Sequence, residues 1–82
     1  MNKPTPQLLK AIEGKGPHDR VKVMAILTMF ILTDQEYKAL DMMGCRKLGE
    51  SPGWIAVEVD VDRLEPLAEL SSVRKLKTLV GY

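Results

Sequence analysis

The chain has 82 residues, 45% of them hydrophobic and 28% charged, with 12 basic and 11 acidic side chains and a net charge of +1. A chain this short makes one domain, burying roughly 60–65% of the surface it exposes unfolded, and its ordinary composition argues against disorder. Near-neutrality predicts neither a nucleic-acid nor a membrane partner, the lone Cys45 excludes an internal disulfide, and no apolar run approaches the ~18 residues of a membrane span.

Residues 5–14 predict a short helix: Thr5 suits the N-cap, Pro6 the first helical position and Gly14 the stop. Leu8, Leu9 and Ile12 are expected on its buried face. Residues 14–20 form a connector, so 1–20 reads as a leading helix with its linker and 21–82 as the main domain. The connector holds the sole histidine, His18, beside Asp19, which is no triad; one His and one Cys also make no zinc set. Gly14-Lys15-Gly16 lacks the spacing of a phosphate-binding loop. No catalytic residue, metal or cofactor is expected.

Residues 21–27 are β-rich, with Val21, Val23, Ala25 and Leu27 on one face and Lys22, Met24 and Ile26 on the other. Two largely apolar faces predict a central strand. The run continues through Met29, Phe30, Ile31 and Leu32, expected to extend the strand, tuck under a helix or meet another chain. Thr33-Asp34-Gln35-Glu36 is a capping box opening a helix to about Met43, stopped by Gly44. Tyr37, Leu40 and Met43, or Ala39 and Met43, supply its apolar stripe, and both Met42 and Met43 are expected to fill core.

Residues 45–48 predict an edge strand, 49–53 a turn and 54–59 a strong strand. Ile55, Val57 and Val59 should face the core; Trp54, Ala56 and Glu58 should face away. Asp60, Asp62 and Glu65 are read as helix-capping groups, with Asp62 and Glu65 as a second capping box before Leu64, Leu67, Ala68 and Leu70. The last strand is expected from Val73 to Val80, with Val73 and Leu76 inside and Lys75 and Lys77 outside.

This order is the ferredoxin-like βαββαβ plan in the α+β class: a four-stranded antiparallel sheet, order 4-1-3-2, with two helices on one face and a short helix in front. That plan serves many functions. Trp54 alone is too little aromatic surface for an RNA-recognition face, and the cysteine count excludes heavy-metal and iron–sulfur relatives. A non-catalytic, self-associating or small-ligand-sensing domain of the ACT type stays open, and with it a homodimer.

Two longer stretches carry a family resemblance. Residues 21–27 and 40–47 resemble the first half of a subtilisin propeptide; residues 54–60 and 64–76, with Leu64-Glu65-Pro66-Leu67-Ala68-Glu69-Leu70 leading to Val73-Arg74-Lys75-Leu76, resemble the second. The resemblance implies an inhibitor and intramolecular chaperone of a subtilisin-like serine protease, acting in cis or in trans. It implies that the open sheet face, with Met24, Ile26, Trp54, Ala56 and Glu58, packs on the protease. It also implies that the tail Leu79-Val80-Gly81-Tyr82 enters the active-site cleft, with Tyr82 in the primary pocket and Leu79 in a distal apolar one. The chain would be a precursor fragment or a free-standing inhibitor. A trimmed precursor domain would be extracytoplasmic; a chain complete as written would be cytoplasmic.

Overall fold

The computed structural model describes residues 5–79. Thr5 opens helix α1 (Pro6–Ala11), its Oγ1 accepting from the Leu8 N–H at 3.3 Å, and Pro6 occupies the first turn, where an amide would have no partner. The capping box at Thr33 forms in full. The Glu36 N–H donates to Thr33 Oγ1, and the Thr33 N–H donates to Glu36 Oε1 at 2.9 Å. It launches α2 (Asp34–Met42), which ends at Gly44 with φ 76°, a conformation costly for any side chain with a Cβ.

Strands β1 (Arg20–Leu27), β2 (Arg46–Ser51), β3 (Trp54–Asp60) and β4 (Val73–Thr78) form one antiparallel sheet in the order β2-β3-β1-β4, which is 4-1-3-2 read from the other edge. Alternation sends Val23, Ala25, Leu27, Ile55, Val57, Val59 and Leu76 to one side. There they form a single cluster with Leu8 of α1, Leu40 of α2, and Leu64, Leu67 and Ala68 of α3 (Leu64–Ala68). Helices α1, α2 and α3 therefore each bury apolar residues against the same sheet face. The molecule is α+β, and α1 belongs to its core: Leu8 is 1% exposed, and the Thr5 N–H donates to the Leu76 carbonyl at 3.0 Å.

Several expectations need correction. Leu9 is exposed, because a helix of under two turns offers the core little more than Leu8 and the half-buried Ile12. Met42 is 86% exposed; the box at Thr33 fixes the helix phase so that Leu40 and Met43 turn inward and Met42 outward. β2 continues to Ser51, so the turn is only Pro52-Gly53, with Gly53 at φ 90° as a type II turn requires of its third residue. A bulge near Leu48 absorbs the extra residue. The Asp62–Glu65 capping box does not form. Residues Val61–Arg63 make a 3-10 turn pinned to the connector, the Val61 and Asp62 N–H groups donating to the Asp19 and Pro17 carbonyls. Asp62 thus sits inside a helical turn, and α3 begins with no side-chain cap. β4 ends at Thr78, short of Val80. The apolar stretch after β1 is no strand: Leu32 is buried, while Met29, Phe30 and Ile31 stand exposed.

Candidate functional site

With α1, α2 and α3 on one side, no layer of described residues lies above the other side of the sheet, and strand register dictates what it displays. Ile26 pairs with Trp54 and Met24 with Ala56 across β1 and β3; Lys75 and Lys77 pair with Ile26 and Met24 from β4. Arg46 and Lys22 flank Glu58, and Arg20 lies opposite Asp60. Met24, Ile26, Trp54, Ala56 and Glu58 are thus brought together as expected, with an apolar centre and a charged margin. The centre is less open than expected. Met24, Ile26 and Trp54 are partly buried, and Ala56 is fully so, its short methyl lying below the taller side chains of Met24 opposite and Trp54 and Glu58 on its own strand.

Arg20 organises one end of this face. Its guanidinium lies 3.1 Å from Asp60 Oδ1 and 3.7 Å from Glu58 Oε1, and it donates to the Gly44 and Glu58 carbonyl oxygens. One side chain thereby joins β1, β3 and the turn after α2. Its start-of-strand position gave no hint of this role, because the partners lie up to 40 residues away. At the other end the Leu27 N–H donates to the Gly53 carbonyl and the Gly53 N–H to the Phe30 carbonyl, holding the exposed Met29–Phe30–Ile31 segment against the β2–β3 turn. Of the tail, Leu79 is partly buried and its N–H donates to the Lys22 carbonyl at 3.3 Å; Val80, Gly81 and Tyr82 lie outside the described residues.

Polar clusters on the helix side are structural. Glu36 is held below the usual carboxylate range by the Ser72 hydroxyl and by the Thr33 N–H, which ties the start of α2 to the turn before β4. The Tyr37 hydroxyl donates to Glu50, lowering the carboxyl and raising the phenol, and Lys47 approaches the same carboxylate at 3.3 Å. Tyr37 and Lys47 line a cleft of about 300 Å³ between α2 and the sheet that also contains Cys45. Burial pushes the Cys45 thiol up, so it stays protonated, a poor nucleophile.

Donor atoms of His18, Asp60 and Asp62 lie within 4.8 Å of one another. Asp60 is already engaged by Arg20, His18 reaches Asp62 only at 3.9 Å, and the imidazole side chain is 85% exposed. Solvent-facing and partly neutralised, the trio has no built coordination sphere, and no metal role is assigned to it. Glu65 is exposed and caps nothing.

Neither protein-family models, nor curated proteins, nor solved structures give a significant match to this chain.

Proposed function

We propose that this chain is a propeptide-like inhibitor and folding assistant of a subtilisin-like serine protease, built on a ferredoxin-like plan and without catalytic activity of its own. The observation that carries the reading is the uncovered sheet face, whose apolar centre of Met24, Ile26 and Trp54 is ringed by charge while every helix packs on the opposite side. Apolar centres with polar rims are what protein partners bury. The resemblance of residues 21–27, 40–47, 54–60 and 64–76 to subtilisin propeptides supplies the kind of partner. The tail from Leu79 to Tyr82 would add as an extended strand in the cleft, backbone bonds supplying affinity and alternate side chains specificity.

The test is peptide-substrate hydrolysis by several subtilisin-type proteases with the chain added. Inhibition is expected, and deletion of residues 79–82 should remove most of it while the circular dichroism spectrum stays folded. Undiminished hydrolysis by every such protease would overturn the reading.

One observation favours a second reading, a self-associating module: Phe30 and Ile31 are 81% and 67% exposed on the loop after β1. Sedimentation that depends on the chain's own concentration, and is abolished by Phe30→Ser, would support it.

A further inference from the structure

The near-neutral chain conceals a strongly polarised face. Arg20, Lys22, Arg46, Lys75 and Lys77 share the uncovered side of the sheet with two carboxylates, Glu58 and Asp60, leaving a local excess of three positive charges against +1 for the whole chain. Both carboxylates lie within 4 Å of Arg20. Among the described residues, no ion pair engages Lys22, Arg46, Lys75 or Lys77, and all four are exposed. Lys75 and Lys77 flank the apolar centre from β4, while Lys22 of β1 and Arg46 of β2 lie on either side of Glu58. Side chains two residues apart on a strand stand roughly 7 Å apart, inside a Debye length of about 8 Å at physiological salt, so Lys75 and Lys77 act as one potential.

We infer that this face selects an acidic partner: the subtilisin-type protease it fits carries carboxylates around the apolar patch that meets Met24, Ile26 and Trp54. The inference rests on the inhibitor reading and adds to it the chemistry of the partner surface. Crowded cations repel one another, and an acid-rimmed partner relieves that repulsion while its apolar patch covers the centre. A second copy docked face to face would set the same positive excess against itself, so this face is no homodimer interface. Nucleic acid shares the required charge, but among the described residues Trp54 is the face's only aromatic side chain, and base recognition on a sheet uses several stacking platforms.

The experiment measures association rates from inhibition progress curves with two subtilisin-type proteases, one acidic and one basic in net charge. Lys75→Glu/Lys77→Glu should slow association with the acidic protease by about tenfold, and raising salt to ~0.5 M should slow the unaltered chain similarly. Lys10→Glu/Lys38→Glu makes the same change in net charge on exposed helical positions and should alter the rate by less than about twofold. Circular dichroism verifies that both variants fold. Association with the acidic protease that ignores salt, equal slowing by both variants, or faster capture of the basic protease would overturn the inference while leaving the inhibitor reading standing. Failure to inhibit either protease would overturn both. Tight capture of a single-stranded oligonucleotide, lost in Lys75→Glu/Lys77→Glu, would assign the face to nucleic acid and overturn the inference as well.

Discussion

Arg20 lies 3.1 Å from Asp60, its partner across the β1–β3 register, and the same guanidinium reaches the Gly44 and Glu58 carbonyls. Arg20 closes one end of the sheet and engages both carboxylates of this face, while among the described residues no ion pair engages Lys22, Lys75 or Lys77. Arg20→Ala should lower stability by about 1 kcal/mol, since the pair is partly solvent-screened but two carbonyl bonds go with it. A urea midpoint shifted at constant slope would verify this; an unshifted midpoint would reduce Arg20 to a surface ornament.

Trp54 stands opposite Ile26 and supplies the largest side chain of the uncovered face. Trp54→Ala should leave the fold intact and weaken protease inhibition by more than about tenfold, the size expected of a central aromatic anchor. Equal inhibition constants for a folded Trp54→Ala chain would remove the sheet face from the binding surface.

The capping box at Thr33 predicts a local loss on mutation. Thr33→Ala should cost about 1 kcal/mol, because it frees the Glu36 amide and undoes the reciprocal bond to Glu36. Thermal melts of Thr33→Ala and Thr33→Ser compare the loss with the rescue; Ser, which also caps, should restore most of the stability.

Acid sensitivity follows from Glu36 and Glu50. Both have folded pKa values lowered below 4.5, Glu36 chiefly by Ser72 and Glu50 chiefly by Tyr37. Their stabilisation is present above the unfolded carboxylate value and is lost as pH falls through the lowered folded values. Tyr37, raised above 10.0 chiefly by its bond to Glu50, adds stabilisation that is present below pH 10.0 and lost as pH rises through the folded value. The melting temperature should therefore fall at both extremes, and Glu50→Gln should blunt both limbs. Melting curves from pH 3 to 11 provide the measurement.

In the core, Leu67→Ala should cost about 2–5 kcal/mol, since Leu67 is 0% exposed in the cluster beneath the sheet. For a domain this small, with no disulfide among its described residues, that loss approaches the total stability. Native-like circular dichroism with an unchanged midpoint would contradict the packing described.

What the amino-acid order determined by itself is what acts over three or four residues. Thr33 and Glu36 cap a helix because their spacing brings each side chain to the other's amide. Thr5-Pro6 opens one because a proline needs no amide partner in the first turn. Period-two alternation marks Val23, Ala25, Ile55, Val57 and Val59 as core, and the succession of strands and helices leads to the 4-1-3-2 neighbours. Tertiary structure decided whatever depends on residues far apart. The Asp62 box fails because the connector's carbonyls at Pro17 and Asp19 capture the Val61 and Asp62 amides. Leu9 and Met42 face solvent because packing, not hydrophobicity, sets how much of a short helix can be covered. Met29, Phe30 and Ile31 stay exposed because bonds to Gly53 end the strand at Leu27. The positive face emerges only when register lays Lys75 and Lys77 beside Ile26 and Met24, about 50 residues away along the chain. Charge summed along a sequence is blind to that, since Coulomb's law acts through space and the fold decides which charges are neighbours.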